Sequence, residues 1–313
     1  MNKPKVYIDG KEGTTGLHIY ERLGSRTDIE LLLIDEDKRK DTEERRKFLN
    51  AADLVFLCLP DAAAVEAVSL IDNPNTRVID ASTAHRTNPD WDYGFAELSA
   101  GHRAAIAASK RVANPGCHAT GFISVVYPLV AMGILPKDLP VSAFSLTGYS
   151  GGGKKMIAQY EGADKPDALC APSVYGMGQG HKHLPEMQAV CGLAHKPVFS
   201  PIVDDYYKGM ATTVPFHMSQ LKGVATVAGV RQKLMDYYAG QTMVTVSAAE
   251  DTAKIYGNAK AGEDTLELIV AGNDEQFTIT ALFDNLGKGA SGAAVQNMNI
   301  MLGLDETTGL NVK

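Results

Sequence analysis

The sequence has few cysteines and few aromatic residues for its length. Four cysteines occur among 313 residues, and aromatic side chains make up 7%, with a single tryptophan. The cysteines are far apart and form no CxxC pair, at Cys58, Cys117, Cys170 and Cys191. A chain of this size can build a hydrophobic core without cross-links, so we predict no disulfide framework. Cys58 lies in an apolar run and is interpreted as a small core side chain.

Long hydrophobic runs and an excess of positive charge are also missing. The longest charge-free stretch, residues 112–136, is interrupted by polar residues and prolines, whereas a membrane-spanning helix needs about 20 mostly apolar residues. Thirty basic and 37 acidic side chains give a net charge of −7, which gives no electrostatic support for binding nucleic acid. The first residues lead into a strand-like segment without a secretory signal. We therefore expect a cytoplasmic protein with no membrane or nucleic-acid partner.

The first part of the chain alternates short apolar runs with helical stretches. The helical pattern is clearest over residues 14–23, and the predicted strands span residues 6–9, 29–35, 53–59 and 77–80. This alternation is typical of βαβ units on a parallel sheet. It predicts an α/β fold whose first domain, residues 1–116, is a doubly wound, Rossmann-type dinucleotide-binding domain with ligands at the carboxyl ends of its strands.

The second part of the chain is richer in strand-like runs. They span residues 198–203, 210–217, 243–247, 266–271 and 276–283, and the last two flank a Gly-Asn-Asp turn typical of a hairpin. We predict an α+β catalytic and substrate domain over residues 117–284. Apolar residues at helical spacing from Gly289 onward predict a closing helix, within a segment 285–313 that returns to the first domain.

A glycine-rich turn joins the first predicted strand to the first helix. Its three glycines, Gly10, Gly13 and Gly16, allow a tight turn, and the helix N-terminus can meet a pyrophosphate. Asp35, about 20 residues further on, favours NAD because an acid there binds a ribose hydroxyl. The cations at 38–40 could instead accept the 2′-phosphate of NADP, or be merely solvated. These residues leave the cofactor open.

A cysteine follows the Asn114-Pro115-Gly116 turn and precedes a helix pattern that begins near Gly121. At a helix N-terminus, unpaired N–H groups and the helix dipole stabilise a thiolate and lower the cysteine pKa. The position predicts a nucleophile at Cys117, with a small buried residue at a turn as the alternative.

The densest cluster of titratable side chains is the segment His181-Lys182-His183-Leu184-Pro185-Glu186. It offers a base as partner for the cysteine, and Pro185 is predicted in the first turn of the next helix. His181 and His183, two apart in extended chain, would point to the same side. Two imidazoles and one glutamate are too few local ligands, so we predict no metal. Histidines without function remain the alternative.

A second glycine-rich segment, Gly148 to Lys155, almost matches the phosphate loop of nucleotide kinases. Lys155 stands where that loop needs a hydroxyl to hold Mg²⁺. Consecutive glycines followed by a lysine can still bind a phosphate group through backbone N–H groups and charge. The alternative for this segment is a flexible linker. Further along the chain, the spacing of residues 284–290 predicts only a helix N-terminus.

These motifs, in this order, resemble the N-acetyl-γ-glutamyl-phosphate reductases, specifically the shorter of their two sequence types. The resemblance covers nearly the whole chain. It implies NADPH-dependent reduction of an acyl phosphate to an aldehyde in arginine biosynthesis, a small-molecule substrate, NADP(H) as cofactor, and a homodimer or homotetramer. Ser82 to Arg86 stands where the longer type has Ser-Ala-Asp-Phe-Arg.

The resemblance also assigns site residues. Cys117 matches the nucleophile and His181 the acid/base. The implied substrate-binding residues are Arg86, Ser150, Gly151, Lys154, His183 and Glu186. The implied cofactor-binding residues are Gly10, Gly13, Thr14, Thr15, Gly16, Arg39, Ser82, Asn285 and Lys288. Which of Lys38, Arg39 and Lys40 contacts the 2′-phosphate stays open.

The residue types fit a thioester route. The Cys117 thiolate would attack the acyl phosphate, and hydride transfer to the thioester would give a thiohemiacetal. His181, with an ordinary pKa near 6.5, would then exchange protons with the intermediates. The alternatives are an aspartate-semialdehyde dehydrogenase-like reductase, a phosphate-loop kinase, and a non-catalytic dinucleotide-binding sensor.

Overall fold

Helices and strands alternate along the computed structural model, which describes residues 3–250 and 252–313. Up to residue 113 the elements are β1 (Lys5–Asp9), α1 (Thr14–Leu23), β2 (Glu30–Leu32), α2 (Thr42–Ala51), β3 (Leu54–Leu57), α3 (Asp61–Ser69), β4 (Arg77–Asp80), β5 (Asp92–Tyr93), α4 (Ala100–Ala108) and β6 (Arg111–Ala113). From residue 117 they are α5 (Cys117–Ala131), β7 (Ser142–Gly148), α6 (Gly153–Glu161), β8 (Ser173–Val174), α7 (Leu184–Cys191), β9 (Val198–Asp204), β10 (Met210–His217), α8 (Val227–Tyr237), β11 (Val244–Val246), β12 (Leu266–Gly272), β13 (Gln276–Phe283) and α9 (Gly292–Leu302). The predicted domain ranges also include residues 1, 2 and 251, which lie outside the described residues.

The chain divides into two compact units. The first comprises the chain up to Pro115 together with Ala290–Leu310, and the second comprises Gly116–Gly289 with Asn311–Lys313. The second unit thus includes residues 285–289 and 311–313, which the sequence places in the closing segment. Hydrogen bonds explain this, because the Gly287 and Gly289 N–H groups donate to the Asp284 carbonyl and the Asn311 N–H donates to the Asp264 carboxylate.

The first unit is built on a six-stranded parallel sheet with the order β2-β1-β3-β4-β6-β5. Side chains alternate between its faces, so Val6 and Ile8 pack on one side with α1, α4 and α9, while Tyr7 packs on the other with α2 and α3. Both faces are covered by helices, as parallel sheets require. The predicted doubly wound α/β architecture is confirmed.

Some strand bounds differ from those expected. The predicted strand at 53–59 is shortened to β3, Leu54–Leu57, which pairs with β1 and β4. The predicted strand at 29–35 is shortened to Glu30–Leu32 because the chain turns into a 3₁₀-helix at Glu36–Lys38. The two short strands β5 and β6 were not predicted, since two or three residues show no periodicity.

The second unit is built on a seven-stranded mixed sheet with the order β11-β12-β13-β10-β7-β9-β8. The predicted β12–β13 hairpin is present, and Gly272 has φ +137° where an added Cβ would lie 2.5 Å from Phe277 Cα. α5 packs on β10 and β13, and α8 packs on β12. This arrangement confirms the predicted α+β domain.

α5 is buried on nearly every side, and for this reason its sequence is apolar without a polar face. It has 15 residues. Across residues 3–250 and 252–313, helices that combine the length and apolarity needed to cross a membrane are absent. The closing helix begins later than expected, because a π-helical turn, Gly287–Ser291, precedes α9.

Candidate functional site

In the first unit, the Gly10–Gly16 segment ends β1 and opens α1. Gly10 has φ +87°, and a Cβ there would lie 2.4 Å from the Cys58 carbonyl oxygen. A Cβ on Gly16 would lie 2.4 Å from the Gly10 carbonyl oxygen. Gly13 occupies the N-cap without a side-chain cap, so the first N–H groups of α1, from Thr14 and Thr15 onward, are open to an anion. The segment fits a pyrophosphate.

A cavity of about 370 Å³ lies beside this segment. Residues of β1, the glycine turn and β2 line it, together with Arg39 and Lys40. The Arg39 guanidinium lies 3.4 Å from Glu36 and 3.9 Å from Glu12, whereas the Lys38 ammonium lies 3.8 Å from Asp35. Two of the three candidate cations therefore line the cavity.

A buried ion pair that sequence reasoning missed lies at the same cavity. Arg45 of α2 donates from Nη2 to Asp9 at 2.8 Å, and the two side chains are 8% and 3% exposed. Burial next to Asp9 raises the pKa of Tyr7. The sequence signal for this ion pair was Asp9, an acid at the end of the first strand. Its partner Arg45 lies 36 residues further along the chain, so no local spacing connects the two.

Ser82 and Arg86 follow β4, where a cluster around Asp80 forms. The Asp80 carboxylate accepts from the Ser82 hydroxyl at 2.7 Å and lies 2.6 Å from His85 Nδ1. Arg86 donates from Nε to the Asn114 carbonyl and from Nη2 to the Ala81 carbonyl. The Arg86 side chain is thus partly engaged with the main chain of its own unit.

In the second unit, Cys117 is the first residue of α5. Gly116 is the N-cap with extended φ −79° and ψ 147°, and it has no side chain to cap the helix. Glu186 of α7 accepts from the Gly116 N–H at 3.2 Å. The helix therefore begins at Cys117, not near Gly121 as expected. Its N–H groups and dipole act directly on the sulfur and favour the thiolate.

His181 and His183 lie at the start of α7, with their ring centroids 4.7 Å apart. His183 is the N-cap and has helical φ −87° and ψ −10°, so the expectation of an extended chain between the two histidines was wrong, although their rings lie side by side. The backbone N–H of His183 donates to His181 Nδ1 at 3.2 Å. Pro185 lies in the first turn of α7, as predicted. In the described part of the chain, clusters of three or more metal-ligating side chains are absent.

The hydrogen bond to Nδ1 defines the protonation of His181. A nitrogen that accepts an N–H carries no proton, so the neutral ring has its proton on Nε2. Burial, and next the charge of Lys182, lower the pKa of His181 from the ordinary 6.5 to about 4. The ring is therefore neutral near pH 7 and acts as a donor, contrary to the expectation of a pKa near 6.5.

Two residues that the sequence analysis did not select, His118 and Tyr175, lie against this pair, and a third, Ser145, contacts His118. His118 is T-shaped to His181 with 5.3 Å between centroids, and its ring nitrogens lie 2.8 Å from Ser145 Oγ and 2.7 Å from the Tyr175 hydroxyl. His118 follows the nucleophile directly, but Ser145 and Tyr175 come from β7 and from the segment after β8. No local pattern marks residues that meet only through the fold.

The second glycine-rich segment forms a 3₁₀-turn, Tyr149–Gly152, followed by α6. Ser150, 1% exposed, accepts from Asn285 Nδ2 at 2.9 Å, and Asn285 Oδ1 accepts from the Gly209 N–H. Gly151 and Lys154 are exposed on the same segment, and Lys288 is 2% exposed on the π-helical turn. The fold thus brings Asn285, a predicted cofactor residue, to the predicted phosphate segment.

Comparisons with known proteins agree with this arrangement. Residues 5–107 match the family described as semialdehyde dehydrogenase, NAD binding domain, and residues 117–285 match semialdehyde dehydrogenase, dimerisation domain. The first unit therefore contains the nicotinamide dinucleotide-binding domain of this family.

Curated relatives and solved structures cover almost the entire chain. N-acetyl-γ-glutamyl-phosphate reductases of Brucella ovis and Brucella canis are each 50% identical to it over 308 residues, which is 96% of this chain and 99% of theirs. Aspartate semialdehyde dehydrogenase II of Vibrio cholerae matches with a TM-score of 0.73 at 16% identity, over 96% of this chain and 99% of that one. Aspartate semialdehyde dehydrogenase of Francisella tularensis matches with a TM-score of 0.71 at 15% identity, over 96% and 100%. At such identities these structures establish the fold alone. The chain belongs to the semialdehyde dehydrogenase family, among the N-acetyl-γ-glutamyl-phosphate reductases.

Proposed function

We propose that this protein catalyses the NADPH-dependent reductive dephosphorylation of N-acetyl-L-γ-glutamyl phosphate to N-acetyl-L-glutamate 5-semialdehyde, in arginine biosynthesis. The observation that carries the proposal is the position of Cys117 at the uncapped N-terminus of α5, within one unit with the neutral donor His181. The 50% identity to the Brucella reductases supports the choice of substrate.

Cys117 is proposed to form the thioester. Its thiolate attacks the acyl carbon, the bond from that carbon to the phosphate oxygen breaks, and phosphate leaves with a proton from solvent. Ser150, Gly151 and Lys154 are proposed to bind the phosphate, with Ser150 held in place by Asn285. His183, Glu186 and Arg86 remain the predicted substrate ligands.

His181 is proposed to stabilise the negative charge that develops on the acyl oxygen. Its Nε2–H donates to that oxygen while the neutral ring keeps its proton, as a preorganised donor does in an oxyanion hole. Collapse of the thiohemiacetal oxyanion re-forms the carbonyl and expels the Cys117 thiolate, so no proton has to pass through the ring in this half of the reaction.

The cofactor is proposed to be NADP(H), bound by the first unit. When bound, it supplies the hydride that reduces the thioester. The open N-terminus of α1 fits the pyrophosphate, and Arg39 and Lys40 at the cavity are proposed to bind the 2′-phosphate. Ser82 and Lys288 remain predicted cofactor contacts.

The proposed organisation of the protein follows from these roles. Residues 1–116 are assigned to dinucleotide binding, residues 117–284 to catalysis, and residues 285–313 to the segment that returns to the first domain. The match of residues 117–285 to a dimerisation domain supports a homo-oligomer, a dimer or a tetramer. We propose that the reaction takes place in the cytoplasm.

The assay in the phosphorylating direction tests the activity. Purified protein is mixed with N-acetylglutamate 5-semialdehyde, phosphate and NADP⁺, and the appearance of NADPH is followed. Turnover is expected with this aldehyde and only weakly with aspartate semialdehyde. A preference for aspartate semialdehyde would assign the protein to the rival reductase activity instead.

Cys117→Ala tests the nucleophile. We expect the substitution to abolish turnover, because no thioester can form, while NADP⁺ binding measured by calorimetry is retained. Mass spectrometry of the unsubstituted protein should locate the acyl adduct on Cys117. A variant that keeps its activity would favour the dinucleotide-binding sensor.

A further inference from the structure

The side chain of Gln179 links the segment before His181 to strand β9. Its Nε2 donates to the Phe199 carbonyl at 2.9 Å, and its Oε1 accepts from the Phe199 N–H at 2.9 Å. A single amide thus satisfies both main-chain groups of one residue, as a neighbouring strand would do. Phe199 is 1% exposed, so its main-chain groups need such a partner. We call this pair of hydrogen bonds the amide bridge.

The amide bridge continues the pairing of β9 past the end of its neighbouring strand. β8 pairs antiparallel with β9 and ends at Val174. The Tyr175 N–H still donates to the Pro201 carbonyl at 3.0 Å. Main-chain groups on one edge of a strand belong to every second residue, so the next groups on this edge are those of Phe199. Gln179 supplies their partner from its side chain.

The backbone of Gln179 is in the left-handed region, with φ +53°. Over residues 3–250 and 252–313 it is the single non-glycine with a positive φ. Its neighbours Gly178 and Gly180 are not packed, because a Cβ on either would meet nothing within 4 Å beyond the adjoining chain. A strained position of this kind persists where surrounding contacts hold it, and such positions cluster at functional sites. The contact that holds Gln179 is the amide bridge.

Phe199 connects the amide bridge to the proposed hydrogen-bond donor. Its ring centroid is 5.3 Å from that of His181 and 5.2 Å from that of His118, with interplanar angles of 71° and 69°. Gln179 precedes His181 by two residues, so the bridge fixes both the chain that carries this imidazole and the aromatic ring against which it packs. His181 Nδ1 also accepts from the His183 N–H. A shift of the chain at Gln179 would move the imidazole away from that N–H.

We propose that Gln179 is a positioning residue of the reaction: its amide bridge to Phe199 holds His181 in the place where Nε2–H meets the acyl oxygen. Gln179 acts through His181, whose hydrogen bond stabilises charge that develops in the transition state. Loss of the bridge should therefore lower kcat and leave substrate binding nearly unchanged. The inference rests on the donor role of His181 in the proposed function.

Gln179→Gly separates the side chain from the backbone. Glycine adopts φ +53° without strain, and residue 179 is exposed, so the variant removes the amide bridge without opening a cavity in the core. We expect kcat in the phosphorylating direction to fall by about tenfold or more, because misplacement of a group by about 1 Å can cost about 10²-fold. The KM for the aldehyde should stay within about twofold.

A second substitution and a matched control accompany this variant. Asparagine also tolerates the left-handed region but is one methylene shorter, so Gln179→Asn should lose the bridge and behave like Gln179→Gly. Gln188→Ala removes another glutamine of the unit, whose Nε2 donates to the Ala194 carbonyl at 3.1 Å, and should leave kcat unchanged. Thermal unfolding shows that each variant is folded. Should the glycine variant not fold, the asparagine variant decides.

Nitrogen NMR of the resting protein makes the test independent of the substrate. With isotope-labelled histidine rings, His181 should show one neutral tautomer with its proton on Nε2, because Nδ1 accepts from the His183 N–H. The His181 signals are identified by their loss in His181→Gln. In Gln179→Gly both nitrogens should shift toward the average of the two tautomers as the ring leaves that N–H. Gln188→Ala should keep the unsubstituted signals.

The outcomes distinguish this inference from the proposed function. Absence of turnover in the unsubstituted protein would refute the proposed substrate, and the His181 signals would then decide whether Gln179 positions the ring. Unchanged His181 signals in a folded Gln179→Gly protein overturn the inference, and so does an unchanged kcat. An equal loss of kcat in Gln188→Ala also overturns it, because such a loss would indicate a general loosening of the unit.

Discussion

A main-chain hydrogen bond decides how His181 can act. The His183 N–H occupies Nδ1 at 3.2 Å, and burial with Lys182 lowers the pKa of the ring to about 4. The ring is uncharged above about pH 4, so it offers an Nε2–H to an oxyanion and has no free nitrogen to accept a proton from a thiol. Cys117 accordingly depends on the helix N-terminus for its activation.

Replacement of His181 distinguishes a hydrogen-bond donor from a proton carrier. His181→Gln keeps an N–H donor and should reduce kcat by about tenfold, whereas His181→Ala should reduce it by about 10²–10³-fold, the usual loss of an oxyanion donor. We expect the pH profile of kcat for the unsubstituted protein to contain no step near pH 6.5 that disappears in His181→Gln or in His181→Ala. Equal losses in both variants would indicate proton transfer by the ring.

Arg39 and Lys40 should determine the preference for NADPH over NADH. Both line the cavity beside the glycine turn, and a charged contact to a phosphate contributes enough for about a tenfold change in affinity or more. Arg39→Ala and Lys40→Ala should each raise the KM for NADPH by about tenfold and leave that for NADH nearly unchanged. Lys38→Ala is the matched control because Lys38 contacts Asp35. Equal increases with both cofactors would contradict the assignment.

Among the elements, α5 links the core of the second unit to its chemistry. Gly121 lies against β10, where an added Cβ would be 2.3 Å from Thr212 Oγ1. Cys117 lies four residues earlier in the same helix. The Thr212 hydroxyl also hydrogen-bonds with the Ser145 hydroxyl, which in turn hydrogen-bonds with His118 Nδ1. The close approach at Gly121 therefore helps to fix the position of the nucleophile.

Gly121→Ala should damage both stability and activity. Displacing a packed helix costs about 1–3 kcal/mol, and a shift of the nucleophile reduces kcat further. Gly101→Ala in α4 is the control: its Cβ would meet only Ser99 Oγ at 3.4 Å, and alanine suits a helix better than glycine. Thermal unfolding and kcat of both variants provide the measurements. An unaffected Gly121→Ala protein would show that α5 is not held at this point.

Across the whole molecule, periodicity predicted elements better than it predicted contacts. The bounds of α1, β10 and β13 agree with their apolar patterns because those residues fill a core face along their full length. The two-residue strand β5 has no pattern to read. Motifs gave Cys117 and His181, whereas Asp9–Arg45 and His118–Tyr175 join residues 36 and 57 apart, and such pairing is a property of the fold.

His118 and His181, whose pKa values are both lowered, should make the second unit sensitive to acid. The pKa of His118 is lowered to about 3 and that of His181 to about 4, both below the ordinary 6.5. As pH falls below about 6.5, the unfolded chain takes up these protons and the folded chain does not, so stability is lost until the folded pKa is reached. At about pH 5, His118 alone should favour unfolding by roughly 2 kcal/mol.

Thermal unfolding of the second unit measures this sensitivity. Between about pH 7.5 and pH 5, the melting temperature of the unsubstituted protein should fall clearly more than that of His118→Gln, in which the titrating ring is gone. His195→Gln removes an exposed histidine from the same unit and should retain the full fall. An equal fall in all three proteins would mean that His118 is protonated alike in the folded and unfolded chain, and a neutral His118 could then no longer be assumed when the hydrogen bonds around Tyr175 are assigned.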